Sequence, residues 1–306
     1  MIPLCAPENA KLPTALALGS FDGLHLGHKK VIKAILKESI GVPTVVSFWP
    51  HPREVLFGES RLRLDLPNEK TFLLEPLGIE QLVLVPFNKN LASKSAETFV
   101  EEVLVKTLHA KHIAVGENFR FGRNREGDTS TLKKIGASLG IKISIVPIVE
   151  DKNGRLSSSR IRKALIDGDL KHAKYLLQRP YTFRGTVEKG RGLGKKIGWP
   201  TANLKIDGRK LLPSLGVYAS WASMANQKER FLAVMNMGPQ PTIDPNSLSA
   251  VEVHLLDKEI NLLGHELIIE PVQRIRPQKK FENIEALSEQ INLDAILAKK
   301  ILTKLH

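Results

Sequence analysis

Short β-like runs alternate with helix-like stretches through the first half of this 306-residue chain, and few folds accommodate that rhythm. The candidate strands are Ala15–Phe21, Pro43–Trp49, Gln81–Phe87, His112–Gly116 and Ile141–Val149. Between them, Lys29–Glu38, Ala96–Leu108 and Thr129–Leu139 carry apolar residues at helical spacing. Strand and helix in repetition predict a parallel sheet with helices packed on it. Ligands of such sheets bind beyond the carboxyl ends of the strands, so the loops there are where chemistry is expected.

A helical stretch, Arg160–Gln178, closes this half, and the character of the chain changes at Arg179-Pro180. The β-like runs that follow are Phe183–Glu188, Val217–Ser223, Phe231–Met237, Ala250–Leu256 and His265–Arg274, broken by Gly and Pro. No helix before the tail is long enough to cross between parallel strands, which predicts an antiparallel barrel. A terminal helix is expected near Ile284–Leu305. The fold class is therefore α/β, divided into domains of residues 1–180 and 181–306, each long enough for its own core.

The net charge is +13, and it is concentrated. Residues 111–210 hold 23 Lys and Arg against 9 Asp and Glu, while the rest of the chain is nearly balanced. Such a region implies an anionic partner: nucleic acid, an acidic surface or a phosphorylated small molecule. No apolar run approaches the roughly 18 residues of a membrane span. The start lacks the pattern of a signal peptide, and one cysteine, Cys5, excludes an internal disulfide framework, so a cytoplasmic protein is expected.

Gly19-Ser20-Phe21-Asp22-Gly23-Leu24-His25-Leu26-Gly27-His28 follows the first strand and opens the first helix. It has neither the Lys-Ser/Thr pair of a Walker loop nor dinucleotide-type glycine spacing. Gly23 and Gly27 allow a backbone to approach a bulky anion, and a helix N-terminus offers unpaired N–H groups. His25 and His28 are spaced to face one way and donate to phosphate oxygens. After the last strand of this half, Ser158 and Ser159 can cap a helix whose start carries Arg160 and Arg162, which suits a triphosphate clamp.

In the second half, Gly185 to Gly194 is rich in Gly and basic residues and runs into Lys195-Lys196-Ile197-Gly198-Trp199-Pro200-Thr201-Ala202-Asn203-Leu204. Gly backbone with Lys and Arg is suited to wrapping a polyphosphate, although a plain flexible loop has the same composition. Thr201 and Asn203 offer hard oxygen ligands of the kind Mg²⁺ accepts and point to one side of an extended segment. Glu252 is a carboxylate within an apolar β-like run, where either burial or an outward-facing position is open to it.

These motifs resemble, in order, those of the bacterial bifunctional riboflavin kinase/FAD synthetase family. Its adenylyltransferase half carries Gly-x-Phe-Asp-Gly-x-His-x-Gly-His, Phe-x-Pro-His-Pro, Asp-Phe-x-Phe-Gly and Ser-Ser-x-x-Ile-Arg. The chain has the first loop, then Phe48-Trp49-Pro50-His51-Pro52, Asn118-Phe119-Arg120-Phe121-Gly122 and Ser158-Ser159-Arg160-Ile161-Arg162. Gly-x-Pro-Thr-Ala-Asn resembles the riboflavin kinase signature. Gly216-Val217-Tyr218-Ala219, Asn236-x-Gly238-x-x-Pro241-Thr242, Val251-Glu252-Val253-His254-Leu255-Leu256-Asp257 and the tail from Phe281 to Asp294 continue it. The resemblance runs from about residue 15 to residue 303.

The resemblance implies a Rossmann-like nucleotidyltransferase domain followed by a riboflavin kinase barrel, making FMN from riboflavin and FAD from FMN with ATP and Mg²⁺. It implies that Gly19, Phe21, Asp22, Gly23, His25, His28, Ser158, Ser159 and Arg162 bind ATP in the first half, with His28 and Arg162 acting in catalysis. Pro50, His51, Pro52, Asn118 and Phe119 would bind flavin there. In the second half Gly190, Gly192, Gly194, Lys195, Pro200, Thr201 and Asn203 would bind ATP, with Thr201 and Asn203 holding Mg²⁺ and Glu252 as general base. Two departures stand out: Asn118 replaces an Asp, keeping an acceptor but losing the charge, and Asn261-Leu262-Leu263-Gly264 replaces Leu-Tyr-Gly. A chain active in one half, or a basic nucleic-acid-binding protein, are the alternatives. Few Trp and Tyr and no helix-turn-helix pattern argue against the latter, and neither nucleic acid nor a membrane is expected as partner.

Overall fold

Successive residues of Thr14-Ala15-Leu16-Ala17-Leu18 are all buried, as a strand covered on both faces requires. They form the centre of a sheet in the computed structural model, which describes residues 1–306 except 38–39, 60–61, 191–193, 195–197, 226, 228, 239–249 and 305–306. The strands are β1 (Leu4–Cys5), β2 (Thr14–Leu18), β3 (Val42–Trp49), β4 (Gln81–Pro86), β5 (Ala110–Gly116) and β6 (Lys142–Val146), all parallel, in the order β1-β4-β3-β2-β5-β6. The five expected strands are all present, with the first ending at Leu18, short of Gly19–Phe21. β1 is too short to have shown a pattern.

The helices are α1 (Leu26–Leu36), α2 (Pro52–Phe57), α3 (Pro67–Leu74), α4 (Lys89–Ser93), α5 (Ala96–Phe99, continuing as a π-helical stretch to Thr107) and α6 (Thr129–Ser138). One face of the sheet, with Ala15, Ala17, Val45 and Leu82, packs on Val31, Ile32 and Ile35 of α1. The other, with Leu16, Leu18, Val46 and Val83, packs on Phe99, Val100, Leu104 and Leu132. A two-stranded hairpin, β7 (Glu150–Asp151) and β8 (Gly154–Arg155), follows the sheet.

The chain divides into two compact units between Ser158 and Ser159. The expected helix over Arg160–Gln178 is two, α7 (Ser158–Ile166) and α8 (Leu170–Leu177). Gly168 separates them with φ +77°, and a Cβ there would meet Ser214 Oγ at 2.8 Å. Both helices are grouped with the second unit, apart from Ser158: the Leu165 carbonyl accepts from Ser214 N at 3.1 Å, and α8 packs on the barrel.

That barrel is closed and antiparallel, from β9 (Phe183–Glu188), β10 (Ala202–Lys205), β11 (Gly216–Met224), β12 (Phe231–Gly238), β13 (Ala250–Leu255) and β14 (Glu266–Arg276), in the order β10-β13-β12-β11-β14-β9. Phe183, Val187, Leu204, Met235, Val253 and Ile269 are among its buried inner residues. On the outside, Val217, Ala219, Trp221 and Val234 pack against Ala295, Ala298 and Leu302 of α9 (Ile284–Thr303). Asp294 of α9 is buried and held by the Arg276 guanidinium, with Nη2 to Oδ2 at 2.8 Å, and Gln290 donates to Asp294 Oδ1 at 3.0 Å.

Removing one member of a buried ion pair leaves the other charge stranded, typically costing about 3–5 kcal/mol. Asp294→Ala is expected to lower the unfolding free energy of the barrel by an amount in that range, measured by denaturant titration. A loss under about 1 kcal/mol would remove this pair as the anchor of α9.

Candidate active sites

The strand order reverses beside β2: β3 and β4 lie on one side, β5 and β6 on the other. Ligands of open parallel sheets bind at such a point, outside the carboxyl ends of the strands. The loop carrying Gly19 to His25 leaves β2 there, and the one carrying Asn118 leaves β5.

Buried groups far away in sequence hold the first loop. Gly23, with φ +91°, donates its N–H to Asp65 Oδ2 at 3.0 Å. Asp22 Oδ1 accepts from Leu64 N at 2.9 Å and Asp65 N at 3.3 Å. Lys70 Nζ and Ser47 Oγ both donate to the Ser20 carbonyl, at 2.9 and 3.1 Å, and Ser158 Oγ donates to the Asp22 carbonyl at 2.8 Å. Asp22, Asp65 and Lys70 are each less than a tenth exposed. The Gly23 N–H and the Ser158 hydroxyl proton thus hold the shape of the loop.

His25 is the N-cap residue of α1 and His28 lies in its first turn. Their rings stack with centroids 3.7 Å apart and 20° between planes, and the edge-on ring of the buried Phe21 supports His28 at 5.3 Å. The His25 ring lies close over Gly27: a Cβ there would sit 3.1 Å from His25 Cε1. Burial, with the Arg155 charge added, lowers the His25 pKa to about 4. Burial, then His25, Lys70 and Arg155, pushes His28 well below the usual imidazole range. Both rings are therefore neutral at pH 7. Their Nδ1 atoms are buried with no hydrogen-bond partner among the described residues.

Asn118, with its amide oxygen toward Arg155, accepts from Nη1 at 3.0 Å and Nη2 at 2.8 Å. Phe119 stacks on Phe121 at 5.5 Å and lies against the core. His51 caps α2, its Nδ1 accepting from Arg53 N at 3.1 Å while Glu54 accepts from His51 N at 3.0 Å. Pro50 is exposed just before it, and Pro52 is the first residue of α2. Gly19 donates its N–H to the Val46 carbonyl at 3.1 Å. Ser159, exposed, and Arg162, half-buried, lie on α7 in the second unit.

In the barrel, β10 pairs with strands on both sides: Asn203 lies opposite Glu188 on β9 and opposite Glu252 on β13. Directly opposed residues share a face, so these three side chains form one row on the outside of the barrel, and Asn236, opposite Glu252, extends it. Gln278 donates to Asn236 Oδ1 at 2.6 Å and to the Met237 carbonyl at 3.0 Å. Glu252 is half-buried on this outer row, the outward-facing alternative for a carboxylate in that apolar run. A Cβ on Gly190 would overlap the Asn203 side chain, and one on Gly194 would run into the Trp199 carbonyl and crowd Thr201 Oγ1 at 3.3 Å. Pro200 presents its carbonyl to His254 Nδ1 at 2.7 Å. Gly192, Lys195, Pro241 and Thr242 lie outside the described residues.

The Asn203 amide oxygen beside the Glu252 carboxylate, with the Thr201 hydroxyl two residues earlier, offers hard oxygens of the kind that Mg²⁺ accepts, while Glu188 is paired with Lys205 Nζ at 2.9 Å. Among the described residues no three His, Cys, Asp or Glu gather into a metal cage. A few side-chain oxygens, completed by substrate phosphates and water, is how Mg²⁺ is usually held.

Residues 8–160 match the FAD synthetase family and residues 177–302 the riboflavin kinase family. The bifunctional riboflavin kinase/FMN adenylyltransferase of Haemophilus influenzae is 35% identical over 93% of each chain. That of Listeria monocytogenes is 33% identical over 99% of this chain and 97% of its own. The chain belongs to the bifunctional riboflavin kinase/FMN adenylyltransferase family. A solved structure from Streptococcus pneumoniae, described as a macrolide-efflux protein, has a TM-score of 0.83 at 29% identity, covering 97% of this chain and 98% of that one. No helix among the described residues is long and apolar enough to cross a membrane.

Within this family's loop, the anchors Asp65 and Lys70 went unread in the sequence, since both act on residues more than 40 positions away. Arg155 was equally silent. Leu263, at the second departure, is exposed beside the buried Leu262.

The two histidines make stability pH-dependent in a defined direction. Their folded pKa values lie below the unfolded value of 6.5, so the unfolded chain binds more protons once pH falls under it. Their contribution is complete above about pH 6.5 and is lost progressively toward pH 4. Melting temperature should fall over that window, and less steeply in a His25→Gln/His28→Gln variant. Equal slopes in the two proteins would mean that the pair does not titrate as described.

Proposed function

We propose that the barrel phosphorylates riboflavin to FMN and the parallel-sheet half adenylylates FMN to FAD, with ATP as co-substrate in both, and that the chemistry divides between residues 180 and 181. The observation that carries this reading is the ladder register that sets Asn203 beside Glu252, with Gly190 packed against Asn203.

In the barrel, the primary hydroxyl of the ribityl chain attacks the γ-phosphorus of ATP and ADP leaves. Glu252, on the same face as Asn203, takes the hydroxyl proton. Thr201 and Asn203 would hold Mg²⁺, which when bound screens the phosphate charge that repels the incoming oxygen. The close packing of Gly190 and Gly194 around these two side chains supports a backbone cradle for the phosphates.

Over the parallel sheet, the FMN phosphate attacks the α-phosphorus of ATP and pyrophosphate leaves. No covalent enzyme intermediate is needed; the work is alignment of two anions and stabilisation of the added charge. The stacked His25 and His28 supply N–H donors beside the positive charges of Lys70 and Arg155. Donors fixed before substrate arrives need no reorganisation at the moment of reaction.

Incubation with riboflavin and Mg²⁺-ATP should give FMN first and FAD after it, separated by chromatography over time. Absence of both products would end the reading. Glu252→Gln removes basicity with little change in shape and should slow FMN formation by about 10²–10⁴-fold, leaving FMN adenylylation intact. His28→Ala should do the reverse, costing FAD formation about 10²–10³-fold. Each variant is measured in both half-reactions; parallel loss of both in either variant would mean that the sites are not separate.

A further inference from the structure

The last ladder pair of β10 toward its start is Ala202 with Val253. Thr201, which we assign to phosphate and metal, lies beyond it, so the ladder does not fix this residue. The next position in register on β13 is His254, two residues after Glu252 and therefore on the same face. Pro200 has no N–H with which to continue the ladder. Its carbonyl instead accepts from the Nδ1–H of His254 at 2.7 Å.

A second contact fixes the same segment. The Trp199 and His254 rings meet edge to face, with centroids 5.0 Å apart and 72° between planes. Trp199 also packs against the cluster formed by α9 and the outer residues of β11 and β12, and its N–H donates to the Gly194 carbonyl at 2.8 Å. The stretch before Thr201 is thus held on one side by α9 and on the other by a single imidazole from the strand of the proposed base.

We infer that His254 is a positioning residue for riboflavin phosphorylation: its hydrogen bond to Pro200 takes over where the ladder ends and fixes Thr201 relative to Asn203 and Glu252. The inference rests on the assignment of the kinase reaction to this face. His254 touches no reacting atom; its effect is felt through the metal- and phosphate-binding segment.

Two substitutions separate the donor from the ring. His254→Phe keeps an aromatic edge for Trp199 but cannot donate, whereas His254→Asn brings an N–H close to the position of Nδ1. In the full-length enzyme, His254→Phe should raise KM for ATP in riboflavin phosphorylation roughly threefold to tenfold, the usual scale of one hydrogen bond. KM for riboflavin and the rate of FMN adenylylation should stay at native values, and His254→Asn should restore most of the ATP affinity.

A native KM for ATP in the Phe variant overturns the inference. So does an Asn variant as impaired as the Phe variant, or a fall in kcat with KM for ATP unchanged, the sign of a smaller folded fraction. Asn203→Ala, run in parallel, tests the underlying assignment: if it phosphorylates riboflavin normally, the site itself is misassigned. If Asn203→Ala is inactive while His254→Phe behaves as native, only the role of His254 falls.

Discussion

Six strands become a closed barrel only when the first is joined to the last, and here the four residues of β10 make that join. Leu204 decides its register, buried between Val187 and Val251 on the neighbouring strands. A slip of one residue would turn Leu204 to the outside and Asn203 to the core, exchanging an apolar contact for a buried amide. Burial of one leucine side chain is worth on the order of 2 kcal/mol. Together with the desolvation of an amide, that is enough to hold one register over its neighbour. The juxtaposition of Asn203 and Glu252 is therefore a by-product of core packing.

The first half solves the same problem by other means. Its loop cannot be positioned by a ladder, because it begins where β2 ends. Buried charge holds it instead, with Asp22, Asp65 and Lys70 bonded to the backbone of Leu64, Gly23 and Ser20. Buried ions are costly unless so satisfied. Burial also lowers the Lys70 pKa, while Asp22, Asp65 and Glu69 oppose that shift and Arg63 adds to it. The result is a loop whose polar groups are committed before any ligand arrives, with a stacked imidazole pair set above it.

Local pattern made the parallel strands other than β1 readable to within a few residues, since each is a largely apolar run bounded by turn residues. It also made the barrel readable, apart from β10, whose four residues are too few to show alternation. The break between α7 and α8 was marked by Gly168 but outweighed by the apolar spacing on either side. What stayed hidden has one physical cause: the contacts lie far apart in sequence. Lys70 sits beside Leu-Pro-Asn-Glu, an ordinary helix start, and nothing local says that its ammonium group lies under Ser20. Likewise His254 stands in a matched motif, yet its partner is a proline carbonyl 54 residues earlier.

The substitution at Asn118 is best weighed in terms of charge. An Asp at this position would accept the same two N–H groups of Arg155 and cancel the guanidinium charge. The amide accepts both, keeping the arginine oriented, and leaves the charge in place. That charge is felt by His25 and by His28, whose pKa values it lowers. Two neutral rings among fixed positive groups leave the local field positive, which favours an anionic ligand. Losing a carboxylate here therefore leaves the geometry intact and shifts the electrostatic balance toward an anionic ligand.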